Sequence, residues 1–182
     1  MRNDLIGLIS LMYKNAFLKL DIGLFEKGKR IYIMLNKVYL RSFLSCLRYS
    51  SFWFGTTFHD ITIVPLNNFM FNNMNIVIYI FYVPRYNIKL FVIINVFKEI
   101  SSLTEFFPGS GWPEREAAEM YGIIFTNKID MRKLLLDYTM EGYPLQKQFD
   151  VVGYEEIEYN VFENWVMYNS LRVRDNNYIW QK

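Results

Sequence analysis

Between residues 4 and 20 the apolar side chains Leu5, Leu8, Ile9, Met12, Ala16, Phe17 and Leu20 recur at steps of three and four, with Asn3 or Asp4 placed to cap the start. This spacing predicts an amphipathic helix over Asp4–Leu20. Gly23 and Gly28 bound a turn, and Ile31–Leu35 reads as a short strand. Asn36 can cap a second helix, whose Leu40, Phe43, Leu44 and Leu47 share one face.

The period then changes. Phe58–Val64, Asn75–Val83 and Ile88–Val96 are dominated by β-branched and aromatic residues, and Pro84-Arg85-Tyr86-Asn87 between the last two has the length of a hairpin connection. Two helices packed on a small mixed, mostly antiparallel sheet make an α+β fold. After Ser101 the turn cluster Pro108-Gly109-Ser110-Gly111 leads to Pro113, which fits the first position of a short helix ending at Tyr121 with Gly122 as its stop. From Tyr138 to Asn160 no period is visible, yet Tyr138, Tyr143, Phe149, Tyr154 and Tyr159 supply large rings. An irregular aromatic stretch of this kind docks on something, its own domain or a partner. The chain therefore divides into a compact α+β domain over residues 1–125 and a long extended C-terminal arm over residues 126–182.

Composition narrows the function classes. The 182 residues are 52% hydrophobic and 21% charged with a formal net charge of +2, which excludes a disordered or collagen-like chain and a polybasic nucleic-acid binder. Phe 16, Tyr 14 and Met 9 against Gly 9 and Pro 5 is a skew toward AU-rich codons, for which an organelle genome is a natural source. Cys46 is the only cysteine and His59 the only histidine, so an intrachain disulfide, a four-thiolate cluster and a two-histidine metal site are all beyond this sequence. Ile61–Pro84 carries no charge and is long enough to span a bilayer. Asn67, Asn68, Asn72, Asn73 and Asn75 in its middle argue against insertion, because unsatisfied amides in hydrocarbon are costly. The start lacks a long apolar core and a small-residue cleavage site, so a soluble or peripheral chain without a removable secretory signal is expected.

Three candidate chemistries follow from the residues. Glu116 and Glu119 can share a helix face, and their repulsion can raise one pKa to create a general acid. Against that, acidic residues suit a first helical turn, and Arg115 stands four before Glu119, placed to pair with it. Gly109 and Gly111 before a helix suggest a phosphate cradle, but Glu114 and Glu116 repel an anion. Arg41, Arg48, Arg85, Lys89 and Lys98, interleaved with Tyr49, Trp53, Tyr86 and Phe91, can track RNA, giving an organellar RNA-binding or ribosomal protein as the alternative reading.

The run Trp112-Pro113-Glu114-Arg115-Glu116-Ala117-Ala118-Glu119-Met120-Tyr121-Gly122-Ile123-Ile124-Phe125 resembles the signature of the thirty-kilodalton subunit family of respiratory NADH:ubiquinone oxidoreductase, complex I. The likeness continues through Asp130-Met131-Arg132-Lys133, then Asp137-Tyr138, Glu141-Gly142-Tyr143-Pro144-Leu145-Gln146-Lys147-Gln148-Phe149 and Gly153-Tyr154. It covers roughly Phe58 to Asn160. Glu119 replaces a usual Asp, Lys128-Ile129 stands where His-Pro is common, and Tyr143, Gln146 and Gln148 replace His, Arg and Asp.

The resemblance implies a non-catalytic core subunit of the peripheral arm, scaffolding the quinone-reducing module of an enzyme that couples electron transfer to proton translocation. It implies no cofactor in this chain; NAD, FMN, iron–sulfur clusters and ubiquinone belong to the assembled complex. The implied partners are other peripheral-arm subunits, especially those forming the quinone pocket and carrying the terminal iron–sulfur cluster. Nucleic acid is not among them, and a membrane is met only through partners. An organelle-encoded member sits on the matrix side of the mitochondrial inner membrane. Glu114, Arg115 and Glu116 are expected to anchor the junction of domain and arm. Ala117 and Ala118 let another backbone approach, Gly122 and Gly142 permit turns, and Asp130, Arg132 and Asp137 tie the start of the arm by ion pairs. Glu119, Glu141, Pro144, Lys147, Phe149 and Gly153 complete the family-signature and interface set.

Overall fold

The computed structural model describes residues 24–27, 30–68, 71–149, 153 and 155–170. The helix expected over Asp4–Leu20 lies outside these residues. The chain divides into two compact units, Met1–Lys147 and Gln148–Lys182, each treated by itself.

In the first unit, strands β1 (Leu24–Lys27), β2 (Arg30–Leu35), β3 (Thr57–Asn68), β4 (Phe71–Val83) and β5 (Ile88–Val96) form one sheet in the order β1-β2-β5-β4-β3. Only β2 and β5 run parallel, and the other three pairings are antiparallel. The three strands expected in the middle of the chain are present, β5 with the bounds that its composition indicates. Alternation sends one side chain in two toward the core: Ile31, Ile33 and Leu35 from β2, Val77, Tyr79, Phe81 and Val83 from β4, and Leu90, Val92, Ile94 and Val96 from β5 are all buried. The uncharged stretch read as a possible span is thus β3 and β4, whose backbone groups pair in the sheet. Among the described residues no helix is long and apolar enough to cross a membrane.

Helix α1 (Leu40–Tyr49) contributes the predicted face of Leu40, Phe43, Leu44 and Leu47 to the same core. Asn36 does cap, but on the single 3-10 turn Lys37–Tyr39 that leads into α1, where its Oδ1 accepts from the Val38 amide at 3.2 Å. The hairpin between β4 and β5 closes through Pro84–Tyr86 and a left-handed Asn87, whose side chain accepts from the Tyr82 hydroxyl at 3.1 Å.

β3 is one of the two edge strands, and its sequence protects it. His59 sits at a bulge, Pro65 has no amide to offer, and the Asp60 carboxylate accepts from the adjacent Ile61 amide at 2.8 Å. Helix α2 (Gly111–Tyr121) lies against β3 and starts two residues before the expected Pro113, whose missing amide falls among donors a first turn leaves unused anyway. Gly122 ends it with φ 73°, in the left-handed region. A short parallel pair, β6 (Glu99–Ser101) with β7 (Ile124–Thr126), brackets α2; nothing in the sequence pattern announces it, because three residues are too few to display a period. Residues 127–147 contain neither helix nor strand.

The second unit corrects the reading of Tyr138–Asn160 as lacking alternation throughout. Residues Glu155–Asn160 (β8) pair antiparallel with Trp165–Ser170 (β9) in a hairpin. Ile157, Tyr159, Val166 and Tyr168 fall on one face of it, opposite one another in register, and all four are exposed.

Candidate functional site

Many of the residues singled out in the sequence gather around α2, where Glu114, Arg115 and Glu119 each have a defined task. Glu114, in the first turn, is fully buried. Its Oε1 accepts from the Leu103 amide at 2.7 Å and the Ser110 hydroxyl at 3.1 Å, and its Oε2 from the Ser102 hydroxyl at 2.6 Å. Lys128 approaches the same Oε2 at 3.2 Å and donates to the Gly111 carbonyl at 2.6 Å. One carboxylate therefore joins the end of β6, the start of α2 and the segment after β7. The Lys128 side chain is only 3% exposed, and burial pushes its ammonium below the ordinary lysine value while Glu114 opposes the shift. Burial likewise drives the Tyr79 phenol well above its usual range, with Glu114 adding to the effect. The Tyr79 hydroxyl has no hydrogen-bond partner among the described residues.

Arg115 corrects the expectation that it pairs with Glu119. Its guanidinium donates to the Arg132 carbonyl at 2.7 Å and the Lys133 carbonyl at 3.0 Å, and reaches Asp130 at 3.4 Å. Asp130 is in turn gripped by Arg132 through two side-chain bonds of 3.0 Å and its backbone amide at 3.1 Å. Those bonds, the side-chain ones foremost, hold the Asp130 carboxyl well below the usual carboxylate range.

Glu119, buried on the next turn, accepts three consecutive backbone amides, those of Leu134, Leu135 and Leu136, at 2.9 to 3.2 Å. Spacing on the helix suggests an acid–base pair with Glu116. Instead Glu119 fixes a loop, while Glu116 is exposed beside it. Lys133 ties the loop further by donating to the carbonyls of Asp137 at 3.0 Å and Met140 at 2.6 Å, and the Asp137 carboxylate accepts from Thr139 at 3.1 Å.

The loop returns to the end of α2. The Leu145 amide donates to the Met120 carbonyl at 3.1 Å and the Gln146 side chain to the Tyr121 carbonyl at 2.6 Å, meeting acceptors that a helix C-terminus leaves free. A β-carbon on Gly122 would lie 2.7 to 2.8 Å from the Tyr143 ring, so glycine is required both for its φ and for this approach. Two of the positions that depart from the family pattern, Tyr143 and Gln146, thus serve contacts inside the chain. Gly142 turns at φ 91° and Pro144 is half-buried. Glu141 and Lys147 are exposed and make no hydrogen bond or ion pair among the described residues. Phe149 and Gly153 fall in the second unit.

Lys128, Ser102 and Ser110 escape sequence reasoning as functional residues. They lie 14, 12 and 4 positions from Glu114, and only the last spacing, one turn along a helix, carries any signal. Three of the basic residues considered for RNA are engaged within the chain: Arg41 pairs with Glu105 at 2.8 Å, Arg48 lies over the Phe107 ring, and Arg85 bonds the Ser51 carbonyl. Among the described residues no group of three His, Cys, Asp or Glu side chains is placed to hold a metal ion.

What results is a loop whose backbone is pinned at many points while its side chains face out. Ile129, Met131, Leu135 and Tyr138 are exposed, Ile129 completely, and Trp112 on α2 is 70% exposed. The fold that carries this loop is an α+β body with apolar side chains held outward on a fixed backbone.

Comparison with known proteins gives that class a family. The sequence pattern of the respiratory-chain NADH dehydrogenase 30 Kd subunit matches residues 33–155, and the chain belongs to that family. A relative from Sinorhizobium medicae (strain WSM419), named as a subunit of NADH-quinone oxidoreductase, is 39% identical over 100 residues, 54% of this chain and 50% of the relative. Another, named in the same way and from Rhodopseudomonas palustris (strain BisB18), is 44% identical over 75 residues, 41% of this chain and 38% of the relative. The chain thus matches half or less of the length of these relatives. In fold it is similar to a chain in the structure of the membrane-bound sulfane sulfur reductase, an archaeal respiratory membrane complex, with a TM-score of 0.64 over 80% of this chain and 86% of that one. At 16% identity that likeness is one of fold.

Proposed function

We propose that the chain serves as a non-catalytic core subunit of the peripheral arm of NADH:ubiquinone oxidoreductase, holding the quinone-reducing module in register. The pinned loop is the observation that carries this reading. Arg115, Glu119 and Lys133 together bind eight backbone or carboxylate groups of residues 130–140, so Ile129, Met131, Leu135 and Tyr138 are presented to a partner with little ordering left to lose on binding. Of the two carboxylates that resemble an acid–base pair in the sequence, Glu119 is committed to this framework, which favours support over catalysis.

Electron carriers then belong to neighbours: NAD and FMN, the iron–sulfur clusters, and ubiquinone at the pocket beside which this subunit packs. The exposed apolar face of the β8–β9 hairpin supports a docking role for the C-terminal arm, since a lone two-stranded hairpin is marginal in water. The AU-rich residue bias supports an organelle-encoded chain on the matrix side of the mitochondrial inner membrane. The test is genetic removal and return of the chain. Its loss is expected to abolish quinone-linked NADH oxidation and to leave the peripheral arm unassembled, with both restored by the intact sequence. Full quinone-linked activity in its absence would refute the proposal.

A further inference from the structure

The five-stranded sheet is apolar on both of its faces. Val77, Tyr79, Val92 and Ile94, at 0% exposed, point into the core to which α1 and α2 contribute. The alternate positions form rungs across the other face. Tyr32, Phe91 and Ile80 make one rung and Met34, Ile93 and Ile78 the next, each in register with its neighbour on the adjoining strand. The Tyr32 and Phe91 rings stack at 4.9 Å. These side chains stay half-buried, except Met34, which is exposed. A sheet with one wet face alternates apolar with polar residues. Residues 76–83 and 90–94 are instead apolar or aromatic without a break, the pattern of strands covered on both sides.

One rung beyond Tyr32 and Phe91 this face turns basic. Lys27, Arg30 and Lys89 hold adjacent register positions on β1, β2 and β5. Arg30 and Lys89 are exposed and make no hydrogen bond or ion pair among the described residues. Like charges directly opposite one another destabilise a sheet, so a carboxylate set against this rung relieves the repulsion. Among the described residues the carboxylate of this face is Asp60, on β3, two strands away from Lys89.

We propose that this face is covered by a surface of a neighbouring subunit that is apolar at its centre and carries aspartate or glutamate where it meets Arg30 and Lys89. The apolar rungs require a dry cover, and the opposed cations require an anion at one end of it. Asp60 at the far edge separates a protein from other anionic partners: an anionic lipid surface or a nucleic-acid backbone would repel it, whereas a protein can set a polar donor there. The proposal rests on the subunit role above for the existence of a neighbour, and adds which surface that neighbour covers and by what chemistry.

The test places p-benzoylphenylalanine at Met34 in the full tagged chain, irradiates the purified complex, and sequences the cross-linked peptide. The expected product is a peptide of another subunit with an Asp or Glu within a few residues of the adduct. Its yield should fall roughly tenfold when Arg30→Glu and Lys89→Glu are combined, and hold when Arg30→Lys is combined with Lys89→Arg. If the reversed variant leaves the complex while the conservative one stays, the loss is one of charge and supports the proposal. An adduct to lipid, to nucleic acid, to a second copy or to residues 1–23 of this chain overturns it. So does the absence of any adduct, a partner peptide without an acidic residue, or a yield indifferent to charge reversal. If the complex purifies normally and any of these occurs, the sheet-face assignment falls and the subunit role stands. If no complex accompanies the chain, both fall.

Discussion

Replacing Lys128 by Met tests the buried charge pair that joins three segments around α2. Met keeps the length and apolar bulk of the lysine stem, so the change removes the ammonium and little else. Glu114 is fully buried and would keep its bonds from Ser102, Leu103 and Ser110, while the Gly111 carbonyl would lose its donor. Breaking a buried pair from one side costs about 3–5 kcal/mol, and the three remaining donors place Lys128→Met near the lower end, about 3 kcal/mol. For a unit of this size that is a fall in Tm of roughly 6–12 °C. The double variant Glu114→Gln, Lys128→Met leaves no charge behind, and its carboxamide can still accept from Leu103. Its cost should shrink to about 1 kcal/mol, the signature of coupled sites. Urea unfolding of the full chain followed through tryptophan fluorescence, in which Trp53 at 3% exposed supplies a buried reporter, reads both values. A single variant within about 0.5 kcal/mol of wild type, or a double variant no better than the single, would refute the reasoning.

Three further outcomes follow from the same geometry. Tyr79→Phe removes a buried hydroxyl that has no partner among the described residues, so the variant should be as stable as wild type or more stable by up to about 1 kcal/mol in the same urea assay; a loss above that would reveal a bond to the hydroxyl. Gly122→Ala puts a β-carbon into the Tyr143 ring at a left-handed position, and should cost about 1–3 kcal/mol while raising hydrogen exchange over residues 143–146; unchanged exchange would contradict the contact. Asp130 has a folded-state pKa below the ordinary value of 3.8, so its contribution is present above that pH and lost as pH falls below it. Between about pH 5 and pH 3 the wild type should therefore lose more of its urea midpoint than Asp130→Asn, and equal losses would mean the Arg132 grip adds nothing.

The fold was legible where burial imposes a period. Leu40, Phe43, Leu44 and Leu47, and the alternation through Val77–Val83 and Leu90–Val96, had to match a helix stripe and a strand face to reach one core. Strands of three residues, such as Glu99–Ser101, impose no such pattern. The hairpin from Glu155 was hidden for a different reason: its alternating Ile157 and Tyr159 are set among Glu155, Glu156 and Glu158, and both rows of side chains stay largely exposed, so no burial contrast marks the strand. At the site, residue types identified the right helix but not the partners. Glu119 faces three amides of residues 134–136 and Glu114 a lysine 14 positions away, and contacts made across a loop leave no trace in local spacing. Arg115 and Glu119 stand one turn apart with opposite charge, yet each finds backbone groups that a neighbouring side chain cannot match.

Purification of the tagged chain from its native membranes in mild detergent, with companions identified and spectra recorded, tests the supporting role most directly. The account predicts co-elution with flavin- and iron–sulfur-bearing subunits in a fraction that reduces quinone with NADH, and a colourless, inactive chain once separated from them. A chain that elutes alone, or one that carries a flavin, a metal or NADH-oxidising turnover of its own, would contradict it.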